Sequence, residues 1–221
     1  MDFSKKLRAT ALREKGLSYS EIRKFINVSK STLSGWLKDI KLTDEHKKRL
    51  SRLQATAYLG AKKIQARSIA RHNEIKHAAK NEVLSLINNP LFISGLMLYW
   101  AEGGKRSGQV QFSNSDPEMI KLMMKWFREF CKVPENKFRI GLFVHSLHVK
   151  ENYLEFWSKV TFLPTNQFNR PYIKPTIFSN RKNKLYEGTC VIKIHNRDLL
   201  SRMLGWIEGT RDILLSPNIY K

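Results

Sequence analysis

Negative charge is scarce in this chain. Its 221 residues hold 19 Asp and Glu against 40 Lys and Arg, a formal net charge of +21. Such a surface disfavours cationic partners and suits polyanions. Cysteine is scarcer still: Cys131 and Cys190 stand far apart among apolar neighbours, which excludes a disulfide framework and reads as two core thiols. Long apolar runs are missing too. The longest uncharged one, residues 91–101, is too short to cross a bilayer, and the charged start MDFSKKLRAT predicts no secretory leader. The expectation is a soluble, cytoplasmic, nucleoid-associated protein with no membrane partner. Without a glycine-rich phosphate loop or a nucleophile-elbow serine, no small-molecule substrate is expected. What is present, 42% hydrophobic and 11% aromatic residues, suffices for a packed core and excludes wholesale disorder.

Residues 9–40, ATALREKGLSYSEIRKFINVSKSTLSGWLKDI, read as a helix-turn-helix. Ser18-x-x-Glu21 is a capping box, Ser29 is a second helix start, and Gly16 and Asn27 are suited to left-handed helix ends. Helices are expected over about residues 3–15, 19–26 and 30–40. Ile22, Ile26, Val28, Leu33, Trp36 and Leu37 should form their core. The third helix then exposes Ser29, Lys30, Ser31, Ser34, Gly35 and Lys38, hydroxyls and cations suited to base edges and phosphates of a major groove. Double-stranded DNA is the partner this predicts, since A-form RNA hides its major groove. The stretch VSKSTLSGWLKDI also resembles the helix-turn-helix of the resolvase/invertase type.

Three segments are expected: a helix-turn-helix over 1–42, a basic helical linker over 43–89 broken at Gly60, and a mixed α and β domain over 90–221. The linker has a narrow apolar stripe (Leu50, Leu53, Ala57, Ala61, Ile64) among many cations, which fits either a solvated spacer or an arm along phosphates. In the third segment, residues 91–102 are apolar all round and predict a helix buried on every face. Strands are expected at 109–113, 138–144, 174–178 and 189–195, with a basic turn over 179–184 between the last two. Ser115-x-x-Glu118 should open a helix to about 131, residues 152–162 a short aromatic helix, and Asn196 a last helix to about Glu208.

The run Leu98-Tyr99-Trp100-Ala101-Glu102-Gly103, the strand GQVQFSN, the helix DPEMIKLMMKWF and the later RPYIK…GTCVIKIHNRDLLSRMLGWIEG resemble the LAGLIDADG homing endonucleases over roughly residues 90–209. The resemblance implies an α+β fold with helices packed on an antiparallel sheet, behind an all-α N-terminal domain and a helical linker. It implies a homodimer whose motif helices pack through small residues, Ser94, Gly95 and Ala101, with Met97 departing from the pattern. It also implies that Glu102 is the catalytic carboxylate and binds Mg²⁺ for phosphodiester hydrolysis. Trp206-Ile207-Glu208-Gly209 repeats part of the motif, but no strand pair follows, so one motif per chain is expected. The residues leave two functions open: a site-specific DNA endonuclease, or a transcriptional regulator on the same scaffold without cleavage.

Strand alternation supplies a separate expectation. If Val110, Phe112, Ile140, Leu142, Ile192 and Ile194 face the helices, the other face carries Gln109, Gln111, Ser113, Arg139, Lys193 and His195, joined by Lys174 and Thr176. With Lys105, Arg106, Arg181, Lys182 and Lys184 in adjoining turns, this is a second candidate DNA surface. His145-x-x-His148 would put its rings on opposite faces of a strand, a poor chelate.

Overall fold

The computed structural model describes residues 2–146, 152–175 and 187–216. Among them are eight α-helices and one five-stranded sheet, so the chain is α+β. By compactness it divides into two units, Met1–Ser68 and Ile69–Lys221.

The first unit begins with α1 (Phe3–Glu14), α2 (Tyr19–Phe25) and α3 (Lys30–Leu37). Both halves of the expected capping box form: the Ser18 amide donates to Glu21 Oε2 at 2.7 Å, and the Glu21 amide to Ser18 Oγ at 3.2 Å. Ser29 Oγ accepts from the Thr32 amide at 3.0 Å, fixing the start of α3. Ile22, Ile26, Leu33 and Leu37 are buried, with Val28 and Trp36 packed at their edge. Ala9 of α1 completes this core; a lone alanine in a charged helix gave no periodic signal. Gly16 takes the left-handed conformation at φ +81°, but Asn27 does not. Instead α2 ends in extended backbone at Ile26, whose side chain returns to the core.

The expected break at Gly60 is absent. One helix, α4, runs unbroken from Asp44 to Leu86. A single glycine costs about 1 kcal/mol in a helix interior, too little to stop a long run of strong helix formers. The division into compact units falls inside this helix, between Ser68 and Ile69, so its residues 69–86 belong to the second unit.

In that unit α5 (Pro90–Glu102), α6 (Pro117–Glu129), α7 (Tyr153–Thr161) and α8 (Arg197–Leu214) accompany strands β1 (Gly103–Gly104), β2 (Val110–Asn114), β3 (Phe138–His145), β4 (Tyr172–Lys174) and β5 (Thr189–Ile194). The sheet order is β1-β2-β5-β3-β4, antiparallel except for β4 on β3. Val110, Phe112, Ile140, Leu142, Ile192 and Ile194 are buried as their alternation predicts, in one core with Phe92, Tyr99, Trp126, Phe127 and Trp206. Asp116, not Ser115, caps α6, accepting from the Glu118 amide at 2.8 Å ahead of Pro117. Of the strand expected at 174–178, Lys174 lies in β4, which begins earlier at Tyr172, and residues 176–178 lie outside the described ones.

The last helix does not stop at Glu208. Gly205 and Gly209, four residues apart, put its backbone against α4: a Cβ on Gly205 would fall 2.2 Å from the Lys76 carbonyl oxygen, and one on Gly209 2.5 Å from that of Lys80. Ion pairs line the same crossing, Lys76–Glu208 and Lys80–Asp212 at 2.6 Å each and Arg202–Glu82 at 3.0 Å. Glu82 also accepts from Trp206 Nε1 at 2.9 Å. The second Trp-x-Glu-Gly is therefore a packing motif, with the lysine beside Glu208 holding its carboxyl below the usual range.

Candidate nucleic-acid interface

In the first unit, Lys30, Ser31, Ser34, Gly35 and Lys38 are all exposed on or at the end of α3. Their positions follow from the burial of Leu33 and Leu37, which turns the intervening residues outward. Ser29 is less available than expected, because its hydroxyl caps α3 and meets Ser31 Oγ at 2.8 Å and Thr32 Oγ1 at 2.7 Å. A Cβ on Gly35 would meet nothing within 4 Å, so a neighbouring surface could approach the helix backbone there.

In the second unit α5, α6 and α8 pack against β2, where Val110 and Phe112 are buried and Gln111 between them is only half-buried. Register puts Gln111, Lys193 and Arg139 side by side across β2, β5 and β3. A Cβ at Gly141 would fall 3.3 Å from Lys193 Nζ, so the lysine lies across the bare backbone of β3. Arg139 Nη1 donates to the carbonyls of Asn136 at 2.8 Å and Phe138 at 2.6 Å, which fixes the guanidinium's orientation. At the sheet edge Lys174 stands 5.2 Å from the Phe143 ring. His195, Lys105 and Arg106 are exposed, and Gln109 is half-buried. This face is not wholly polar, however: Val191 is buried opposite Gly141, an apolar centre in a row that alternation alone leaves to polar residues. Thr176, Arg181, Lys182, Lys184 and His148 lie outside the described residues.

Glu102 ends α5, and its placement is built from behind. The Gly103 amide donates to the Tyr99 carbonyl, and a Cβ on Gly103 would fall 2.5 Å from that same oxygen. Tyr99 OH donates to the Gly104 carbonyl at 2.6 Å, tying the end of the helix to β1. Burial pushes the Tyr99 phenol up, so it remains a donor. Glu102 itself is exposed and makes no ion pair or hydrogen bond among the described residues; three positions on, Lys105 Nζ donates to the Gly103 carbonyl at 2.8 Å. No group of three or more His, Cys, Asp or Glu gathers among the described residues. Magnesium needs near-octahedral oxygen ligation, and a lone exposed carboxylate does not make a Mg²⁺ centre within a single chain.

The expectation that α5 is buried on every face is corrected. Ser94, Met97 and Ala101, three and four residues apart, form an exposed stripe along it, with Met97 40% exposed. Gly95 is not part of that stripe. It is buried under Trp126, whose ring atoms would lie 2.2 Å from an added Cβ, so it serves packing within the unit.

Both cysteines are free thiols, pushed up by burial. No helix among the described residues is long and apolar enough to cross a membrane. Compared with family models, curated proteins and solved structures, the chain matches none.

Proposed function

We propose that this chain is a sequence-specific double-stranded DNA-binding protein. Its first unit acts as a helix-turn-helix, with α3 as the helix that enters the major groove. The observation that carries the reading is α3 itself: a capped helix anchored by Leu33 and Leu37 that presents Lys30, Ser31, Ser34, Gly35 and Lys38 outward, in a chain of net charge +21. The row Gln111, Lys193 and Arg139 gives the second unit a separate surface with bidentate donors suited to adenine and guanine edges.

Cleavage of the homing-endonuclease type is a second reading, favoured by one observation. The exposed stripe of Ser94, Met97 and Ala101 lies on the helix that ends in Glu102, so two copies packed along it would bring two such carboxylates to one place. A regulator without cleavage needs no second carboxylate.

One experiment addresses both. A duplex selected from random DNA is titrated by fluorescence anisotropy over a salt series, then incubated with Mg²⁺ or Ca²⁺. The affinity should fall steeply with salt, and Lys30→Ala or Lys38→Ala should each reduce the log–log slope by about one. Affinity independent of salt, or none for any duplex, refutes DNA binding. Cleavage in Mg²⁺ that is lost in Glu102→Gln with binding retained establishes the nuclease; tight specific binding without cleavage establishes the regulator.

A further inference from the structure

A cavity of about 690 Å³ opens at the end of the sheet where β3 begins and β5 ends. Its size falls in the range of small-ligand pockets, roughly 300–1,000 Å³. Its floor is apolar, with Val133 and Ile194 buried beneath it. Lys132, Lys137, Arg139, His195, Asn169 and Asn196 also line it, and no acid does. That composition is not a by-product of overall charge, because acids do flank the cavity in sequence and each is turned elsewhere. Glu135 is held by Arg128 through two bonds of 2.6 and 2.8 Å. Asp198, two residues past Asn196, pairs with Arg71 and His72.

The walls are also preorganised. Two backbone carbonyls fix the Arg139 guanidinium. Gln167 Nε2 donates to the carbonyls of Glu135 at 2.7 Å and Phe138 at 3.0 Å, bracing the loop that carries Lys137. Asn196 Oδ1 accepts from the Leu199 amide at 3.0 Å, which fixes this lining residue at the start of α8. Lys132 and Lys137 make no ion pair among the described residues, so their charge is uncommitted.

We infer that this cavity binds a phosphate group, with the ring or chain that bears it resting on the Val133 and Ile194 floor. A fixed guanidinium and two uncommitted lysines, with no acid beside them, are what a phosphate dianion needs. The phosphate could belong to a free nucleotide or to the duplex backbone, and the two sources separate in one set of measurements. No glycine-rich loop marks the site, which is why the sequence suggested no small ligand.

The test uses the full chain at about 150 mM salt, close to physiological ionic strength. Calorimetric titrations with ADP and with inorganic pyrophosphate are run on wild type, on Lys132→Gln/Lys137→Gln and on a charge-matched control, Lys121→Gln/Lys125→Gln on α6. Both pocket lysines are exposed, so the variant should fold; circular dichroism checks this. For a free ligand, wild type and control should bind ADP alike, while the pocket variant loses at least tenfold. This arm stands whether or not the chain binds duplex DNA. For a backbone phosphate, ADP and pyrophosphate should not bind, and the salt slope of duplex affinity should fall by about two in the pocket variant but not in the control. Arg139→Gln should repeat whichever loss is seen. No binding of either small anion together with an unchanged slope, or equal losses in pocket variant and control, overturns the inference.

Discussion

Single residues in this chain are often committed to two tasks, and Glu21 illustrates the consequence. Its carboxylate accepts from Arg49 of α4 and closes the Ser18 capping box, and these bonds hold it at about 2 against an ordinary 4.5. A carboxyl depressed by folding contributes stability that is full above its unfolded value and lost as pH falls toward the folded one. The first unit should therefore lose part of its stability between about pH 4.5 and 2. Glu21→Gln should be less stable at neutral pH and flatter across that window. Hydrogen exchange of the α2 amides in the full chain would measure this, and an unaltered pH dependence would remove Glu21 from the account. Ser29 carries a similar double load. The sequence marks it both as the start of α3 and as a candidate DNA contact, and the hydrogen bonds show its hydroxyl taken by the cap.

At the scale of elements, glycines in helices separate surface from contact. Gly60 in α4 has nothing within 4 Å of an added Cβ, so Gly60→Ala should stabilise the helix by about 1 kcal/mol through propensity alone. Gly205 in α8 offers the same propensity gain, yet its Cβ would fall 2.2 Å from the Lys76 carbonyl oxygen. Relief of such a clash requires backbone shifts that cost about 1–3 kcal/mol. Overpacking outweighs propensity there, and Gly205→Ala should be destabilising. Urea unfolding of the two variants should move the midpoint in opposite directions; a stabilised Gly205→Ala would mean that α4 and α8 are not in close contact. The sequence reading ended this helix at about Glu208, one residue before Gly209. The partner helix supplies the use of the missing side chain.

For the whole molecule, the division at Ser68 and Ile69 predicts where the chain is vulnerable. Residues 51–67 of α4 are exposed throughout and include Arg52, Lys62, Lys63 and Arg67. Helical residues without tertiary packing are only marginally protected, because packing supplies most helix stability. Limited trypsin digestion should cut first within residues 52–67. The fragment beginning after Arg67 should stay resistant, since it keeps the α4 residues seated on Gly205 and Gly209. Mass spectrometry of the early products checks the site; first cuts within 76–86 would show that this part of α4 is not held by α8.

The sequence by itself determined what depends on neighbours along the chain. The Ser18 box, the start of α3 at Ser29 and the Asn196 cap follow from side chains reaching amides three residues away. The inward set Val110, Phe112, Ile140, Leu142, Ile192 and Ile194 follows from strand alternation and the need to bury apolar surface. Tertiary structure decided what depends on distant partners. Gly95 serves Trp126, Glu208 pairs with Lys76, and the stripe of Ser94, Met97 and Ala101 is left exposed on a helix apolar all round. Lys132, Lys137, Asn169 and Asn196 converge on one cavity although the chain separates them by up to 64 positions. No local pattern encodes such meetings, because burial and charge at a point in space are set by every element that reaches it.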